Sequence, residues 1–264
     1  MFSSIKTGKS PLAAFGLFIM ISSQSLWSIE IKNLSQAANE AGRQRMLTQR
    51  ILKDYAMVGM NNTFGNPKED LKKVTEMFED HLQGLTAFAT DEETKKSLEE
   101  QRKLWEPIKK MLSEPPTKEK AAELQGKLDA LLKAADNTTK LFAKQTGKKS
   151  GEIINISGRQ RMLSQRMANL YMLKVWGMDD PRFKEKMNAA MKLFSDSLDK
   201  LMASDLNTDE INKLLARVKK NFMFFQVMNK SQSKFIPSLI YKKSNEILKD
   251  MNTVTGLYAA QKVQ

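Results

Sequence analysis

Hydrophobic residues recur at spacings of three and four along most of the chain, and the positions between them are largely polar. The residues of six such stripes are Leu71, Val74, Phe78, Leu85 and Phe88; Leu98, Trp105, Ile108 and Leu112; Leu124, Leu128, Leu131, Leu132, Ala135 and Phe142; Phe183, Met187, Met191, Phe194, Leu198 and Leu201; Ile211, Leu215, Val218, Phe222 and Phe225; and Ile236, Leu239, Ile240, Ile247, Leu248 and Met251. This spacing places each set on one face of an α-helix. No strand or hairpin pattern competes with it, so the sequence predicts an all-α fold of about eight helices.

Capping and breaking residues predict where several of these helices begin or end. Asn66–Pro67 and Asp180–Pro181 each look like a cap followed by proline at the first helical position. Thr90 and Asn207 are each followed three residues later by Glu, which is the pattern of a capping box. Pro115–Pro116 separates two further helices.

The chain repeats itself at an offset of 116 residues. Residues Asn39–Arg50 read N-E-A-G-R-Q-R-M-L-T-Q-R and residues Asn155–Arg166 read N-I-S-G-R-Q-R-M-L-S-Q-R, with nine of twelve positions identical. The same offset pairs Tyr55 with Tyr171, Phe78 with Phe194, Asp80 with Asp196, Leu82 with Leu198 and Leu85 with Leu201. We therefore predict tandem up-and-down four-helix units over residues 29–146 and 147–264, each with one copy of this box on its first helix.

The N-terminal segment has the pattern of a signal peptide. Lys6 and Lys9 precede the apolar run Leu12–Ile21, and the polar run Ser22–Ser25 follows. A basic region, a short apolar region and small residues near a cleavage site are typical of an exported protein. Because the polar run leaves the stretch short of the roughly 20 apolar residues that a membrane span prefers, we expect residues 1–28 to be cleaved, with an uncleaved membrane anchor as the alternative.

Composition excludes several function classes. The formal net charge of +13 makes anionic partners relevant, but the lysines are dispersed and not interleaved with aromatic residues, so we expect no nucleic-acid partner. The absence of Cys excludes disulfides, thiolate zinc sites and cysteine nucleophiles. His81 is the only His, and neither a Glu-x-x-His pair, a Ser-His-Asp arrangement nor a glycine-rich phosphate loop can be built. We therefore expect no metal, no cofactor and no enzymatic activity.

The repeated box has two unusual features for a helix. Gly42 lies inside it, at a cost of about 1 kcal/mol relative to Ala, and the usual reason is close approach of a second backbone or a ligand. Asn39 shares a face with Gly42, and Arg43 and Arg45 flank that face on opposite sides. No acid occurs between Gly42 and Arg50, although a buried guanidinium needs an anionic partner.

These features lead to a hypothesis about an anion. If the two box helices pack about a pseudo-twofold axis, each arginine meets its own copy, and the two guanidiniums repel unless an anion lies between them. A planar anion such as nitrate would match the donors of arginine from both sides. The hypothesis is wrong if the arginines are fully exposed or are all paired with Asp and Glu from other helices. The alternative is that the boxes only brace the packing of helices.

The boxes resemble the hallmark of the PilJ-type domain, the N-terminal sensory region of type IV pilus methyl-accepting chemotaxis transducers, and are similar to the P-box of nitrate/nitrite sensor kinases. The resemblance is strongest in the two boxes, and the repeat extends it over most of the chain. It implies a periplasmic helical bundle in which the arginine before methionine binds a small ligand. By register, the ligand-binding residues that it implies are Arg45, Arg161, Gly42, Gly158, Asn39 and Asn155. The secondary residues, which would brace the bundle, are Arg43, Arg159, Arg50 and Arg166.

The function implied by this resemblance is the sensing of a small anion such as nitrate or nitrite at the seam between the boxes. The sequence shows no second membrane span and no methylation or kinase region, so we expect a membrane chemoreceptor or a sensor kinase as partner, and a homodimer remains open. A structural or interaction protein of the cell envelope is the main alternative, and a nucleic-acid-binding protein is the least favoured one. Buried arginines without acidic partners would favour ligand sensing.

Overall fold

A computed structural model describes residues 29–230 and 236–261 of the chain. This part forms eight α-helices and contains no strand. The helices are α1 (Leu34–Gly59), α2 (Pro67–Phe88), α3 (Glu92–Leu112), α4 (Lys118–Gln145), α5 (Lys148–Val175), α6 (Phe183–Met202), α7 (Asp209–Lys230) and α8 (Pro237–Ala260). The prediction of an all-α fold of about eight helices is confirmed. The predicted signal peptide, residues 1–28, lies outside the described residues.

Short polar side chains cap several helices. Asn33, Asp91 and Thr117 each accept a hydrogen bond from the backbone N–H three residues later, at 2.9, 2.9 and 3.3 Å. Each bond satisfies a donor that the first turn of a helix leaves without a partner. Of the predicted starts, α2 does begin at Pro67, although Asn66 has a left-handed backbone (φ 55°) and its side chain forms no capping bond.

The other predicted starts are displaced by one or two residues. Asp91 rather than Thr90 caps α3. At α7 the hydroxyl of Thr208, not the side chain of Asn207, accepts from the backbone N–H of Ile211 at 3.3 Å. Asp180–Pro181 precedes α6, which begins at Phe183. At α3 and α7, adjacent residues that can both cap a helix explain the shifts, because sequence alone does not choose between them.

The same packing arrangement occurs in both halves of the bundle. In the first half α1 packs against α2 and α4, and α3 packs against α4. In the second half α5 packs against α6 and α8, and α7 packs against α8. The most extensive contact between any two described helices joins α1 to α5. The two helices that carry the boxes therefore form the seam of the bundle.

Equivalent hydrogen bonds show the repeat at the level of side chains. Gln44 donates to the backbone carbonyl of Phe78 at 3.0 Å, and Gln160 donates to that of Phe194 at 2.9 Å. Both glutamines belong to the boxes and are fully buried. Each bond fixes the first helix of its half against the second. No helix in the described part of the chain has the length and apolar character needed to cross a membrane.

Candidate functional site

The two boxes meet where α1 crosses α5, and we call this contact the box crossing. A Cβ atom added to Gly158 would lie 3.9 Å from the Cα atom of Gly42, so the two backbones approach closely. A Cβ on Gly42 would lie 3.0 Å from Nη2 of Arg161, and one on Gly158 would lie 3.2 Å from Nη2 of Arg45. Each glycine therefore leaves room for the arginine of the opposite box.

Arg45 is fully buried at the box crossing and binds residues of two other helices. Its Nη1 donates to Oδ1 of Asp136 on α4 at 2.7 Å and to Oδ1 of Asn155 on α5 at 2.8 Å. Its Nη2 donates to the backbone carbonyl of Asn155 at 3.2 Å. Although burial raises it, the pKa of Asp136 is held below its ordinary value by Arg45 and Lys140. Arg45 therefore has an ionised acid as partner, contrary to the picture of two guanidiniums without acids.

Arg161 is equally buried but has weaker partners. Its Nη1 donates to the amide oxygen of Asn252 on α8 at 3.3 Å, and its Nη2 donates to the backbone carbonyl of Asn39 at 3.0 Å. Within the described residues no carboxylate forms an ion pair with it. Burial and the charges of Arg43 and Arg45 lower the pKa of Arg161 to about 9, although the charge of Glu40 opposes them. The guanidinium therefore remains charged at pH 7, with Glu40 near enough to act on its charge but with no carboxylate bonded to it directly.

Arg43 of the first box belongs to a polar group beside the crossing. Its Nε lies 3.2 Å from Oε2 of Glu40, and Nδ1 of His81 lies 3.1 Å from the same oxygen. Although burial raises it, the pKa of Glu40 is held below its ordinary value by His81 and Arg43. Glu40 and His81 were not among the predicted site residues, and the second half has Ile156 and Ser197 in their places.

The remaining secondary arginines lie farther from the crossing or nearer to solvent. Arg50 forms an ion pair with Asp70 that joins α1 to α2. Arg166 lies 4.0 Å from Asp129, across α5 and α4. Arg159 is half-buried, and its charge is one of the causes that lower the pKa of Arg45, after burial. Arg50 and Arg166 thus each lie beside a carboxylate of a neighbouring helix.

The box crossing carries an excess of positive charge. Arginines from both boxes approach it, and the carboxylates of its described surroundings are those of Glu40 and Asp136. Moreover, the Nε atoms of Arg45 and Arg161 are buried and have no hydrogen-bond partner. Such donors are costly to leave unmatched. Chemically, the arrangement is suited to hold a small acceptor of negative charge.

A second buried polar cluster lies further along α1. Lys53 is fully buried, and its Nζ donates to Gln165 at 2.9 Å and to Asn245 at 2.7 Å. The same atom lies 4.1 Å from the ring centre of Tyr241 and 3.6 Å from the carboxylate of Asp54. Burial lowers the pKa of Lys53 to about 8 and raises the pKa of Asp54 to about 7. The box motif does not extend to these positions, so motif reasoning missed them.

No group of His, Asp and Glu side chains in the described part of the chain is arranged to hold a metal ion. The guanidiniums at the box crossing are donors only, so they can bind anions but not cations.

Comparison with known proteins gives one match. A family model described as PilJ, type IV pili methyl-accepting chemotaxis transducer N-term, matches residues 27–136 and 142–222. The matched segments contain both boxes and cover most of the eight helices. No curated protein and no solved structure matches the chain.

Proposed function

The chain belongs to the PilJ family, the N-terminal sensory domains of type IV pili methyl-accepting chemotaxis transducers, and on that premise we propose that it senses a small anion at the box crossing. The anion is nitrate or nitrite, and the residues that bind it are those of the two boxes around Arg45 and Arg161. The domain works on the periplasmic side of the membrane and signals through a membrane chemoreceptor or sensor kinase.

The observation that carries this proposal is the environment of Arg161. Burying a charge without a partner of opposite charge in a protein interior costs several kcal/mol of folding free energy. Arg161 is a fully buried guanidinium to which no carboxylate is bonded. Its direct partners are a carbonyl and an amide, which carry no charge, and Glu40 acts on it only without a direct bond. A bound anion would supply negative charge beside the guanidinium. It would also accept a hydrogen bond from Nε, which has no partner within the fold.

The close approach of the two box helices favours a small ligand over a large one. Both guanidiniums adjoin both glycines, at 3.0 to 3.5 Å from the positions that a Cβ would occupy. Space there is narrow, so phosphate-sized or organic anions would require larger movements of α1 against α5. The planar oxygens of nitrate or nitrite match the planar donors of arginine.

Family membership supports the sensory role and the receptor partner. The family model that matches describes the sensory domain of a receptor. We therefore expect ligand binding to be signalled to a membrane receptor. The predicted signal peptide over residues 1–28 supports export of the protein from the cytoplasm.

The proposal is tested by thermal unfolding of the full chain with nitrate, nitrite, chloride and sulfate at equal ionic strength. A ligand at 100 times its dissociation constant stabilises by about 2.7 kcal/mol, which shifts the midpoint by several degrees. We expect a shift with nitrate or nitrite, and its loss in Arg161→Gln. The matched control is Arg166→Gln on the same helix, which removes an arginine with a carboxylate 4.0 Å away and should keep the shift.

A selective shift that survives Arg161→Gln, or no selective shift at all, would contradict the proposal. The second candidate function would then stand, that of an envelope protein whose boxes only brace the bundle. One observation favours this candidate. Both Nη atoms of Arg45 have partners within the fold, so this arginine already serves to connect α1, α4 and α5.

A further inference from the structure

Helices α3 and α7 are equivalent in the repeat and have the same pattern of burial. At an offset of 117 residues, positions 94–111 and 211–228 are buried, half-buried or exposed in the same order without exception. Aromatic packing agrees with this register, because Trp105 stacks on Phe78 at 4.2 Å and Phe222 stacks on Phe194 at 4.4 Å between ring centres. Each outward position on α7 therefore has a defined counterpart on α3.

The outward face of α3 is that of an ordinary solvated helix. Glu99, Lys103, Glu106 and Lys110 follow one another at spacings of three and four, and Lys103 forms an ion pair with Glu99 at 2.7 Å. Such alternating charges contribute little to stability and favour solubility.

The equivalent face of α7 differs in residue composition and in the pattern of its charges. Ala216, Lys220, Met223 and Val227 stand where α3 has those four charged residues. Met223 is 56% exposed and Val227 is 62% exposed, and the neighbouring Phe224 is 38% exposed. Large apolar side chains that cluster on the surface mark an interaction site more often than single ones do.

Beyond the first turn of α7, which holds Asp209 and Glu210, the charge of this helix is of one sign. Positions 211–228 contain Lys213, Arg217, Lys219 and Lys220 and no acid. Arg217 is paired with Asp250 of α8 at 3.1 Å, which leaves the three lysines, all of them exposed. Lys220 therefore lies one turn before Met223 and Phe224 and two turns before Val227.

We propose that this outer stripe of α7, formed by Lys213, Lys220, Met223, Phe224 and Val227, docks on an anionic lipid surface. Apolar side chains would enter the boundary between headgroups and acyl chains, and the lysines would contact the anionic headgroups. A second copy of the chain fits the stripe less well, because a symmetric contact would bring the lysines of both copies into one interface where the stripe offers no acid to pair with them. The proposal does not depend on the anion site at the box crossing.

The chain contains no Cys, so a single introduced cysteine can carry an environment-sensitive dye. The probe site is Val227→Cys on α7, and the matched control is Lys110→Cys at the equivalent exposed position of α3. Vesicles of phosphatidylglycerol and of phosphatidylcholine are added to the full chain. We expect a blue shift of the α7 dye with phosphatidylglycerol only, and none from the α3 dye, because binding through another part of the chain would not bury the α7 probe selectively.

The charge contribution is measured by co-sedimentation with the same vesicles. Lys220→Glu should weaken binding by about five-fold or more, since each lysine near an anionic surface contributes about that factor. Its matched control, Lys103→Glu on α3, should bind like the parent chain. Three outcomes would overturn the proposal: an equal response of both dyes, a response to phosphatidylcholine as strong as to phosphatidylglycerol, or a blue shift of the α7 dye that depends on protein concentration without vesicles.

Discussion

Asp136 on α4 and Asn252 on α8 occupy equivalent positions in the repeat, and each contacts the box arginine of its own half. Asp136 accepts from Arg45 at 2.7 Å, and Asn252 accepts from Arg161 at 3.3 Å. The two side chains have nearly the same shape and differ in charge. This difference gives Arg45 a directly bonded carboxylate and leaves Arg161 with an uncharged amide in the equivalent place.

We predict that Asn252→Asp stabilises the fold and abolishes anion binding. The new carboxylate would reach Arg161 with almost no change of volume, and an ion pair would replace the present bond to a neutral amide, which should add about 1 kcal/mol or more. The same carboxylate would repel nitrate. Urea denaturation measures the first effect and the thermal shift with nitrate measures the second; an unchanged shift would show that the anion does not bind beside Arg161.

The reciprocal substitution, Asp136→Asn, should make the first half resemble the second. We expect a loss of about 1–3 kcal/mol in unfolding free energy and a larger stabilisation by nitrate than in the parent chain. Because Asp136 also pairs with the exposed Lys140 at 2.7 Å, Lys140→Gln is the control. That change should cost less than about 1 kcal/mol, as surface ion pairs do. Equal losses in the two variants would mean that the contact with Arg45 is unimportant.

Gly42→Ala should destabilise the chain, whereas Gly126→Ala should stabilise it. Both glycines lie in helices, where Ala is favoured by about 1 kcal/mol. A Cβ at position 126 would meet no atom within 4 Å, but one at position 42 would lie 3.0 Å from Nη2 of Arg161. That guanidinium is fully buried and hydrogen-bonded, so displacing it should cost about 1–3 kcal/mol.

Combining Gly42→Ala with Arg161→Gln provides the check on this explanation. The shorter side chain would relieve the clash, so the two effects on stability should be less than additive. Strict additivity in urea denaturation would show that the cost of Gly42→Ala arises elsewhere.

The repeat, the helices and the position of the boxes could be predicted because they rest on local information. Periodicity over ten to twenty residues defines each helix, and the box copies mark the first helix of each half. The prediction that Gly42 and Gly158 allow a close approach also depends only on the rarity of glycine inside helices.

The partners of the box arginines could not be predicted in the same way. Asp136 lies 91 residues after Arg45, and nothing in the α4 stripe marks it as different from the exposed acids around it. Tertiary packing alone brings it to the crossing. Comparing the halves at an offset of 116 would have shown Asp136 against Asn252, but not which arginine either one contacts.

The buried pair Lys53 and Asp54 was missed for another physical reason. Amphipathic patterns assume that a helix has a solvent face, but α1 packs against α2, α4, α5 and α8. Polar side chains on every side of α1 are therefore buried, including adjacent ones that a surface helix would expose.

Asp54 leads to a prediction about pH. Burial raises its pKa from 3.8 to about 7, so the folded chain holds a proton that the unfolded chain releases between these values. Its contribution to stability is therefore fully present below pH 3.8 and is lost as the pH rises through 7. Asp54→Asn keeps the shape and cannot titrate, so this variant should gain stability relative to the parent chain between pH 5 and 7, by at most about 1.4 kcal/mol per pH unit.

Urea denaturation of both chains at pH 5, 6 and 7 measures this difference. The control is Asp196→Asn, which makes the same substitution at a side chain that is 54% exposed. Lys53 is charged in the parent chain throughout this window, because its pKa is about 8, so the trend belongs to Asp54. A difference that is constant, or that moves in favour of the parent chain as the pH rises, would mean that Asp54 is ionised in the fold and that Lys53 compensates its burial in full.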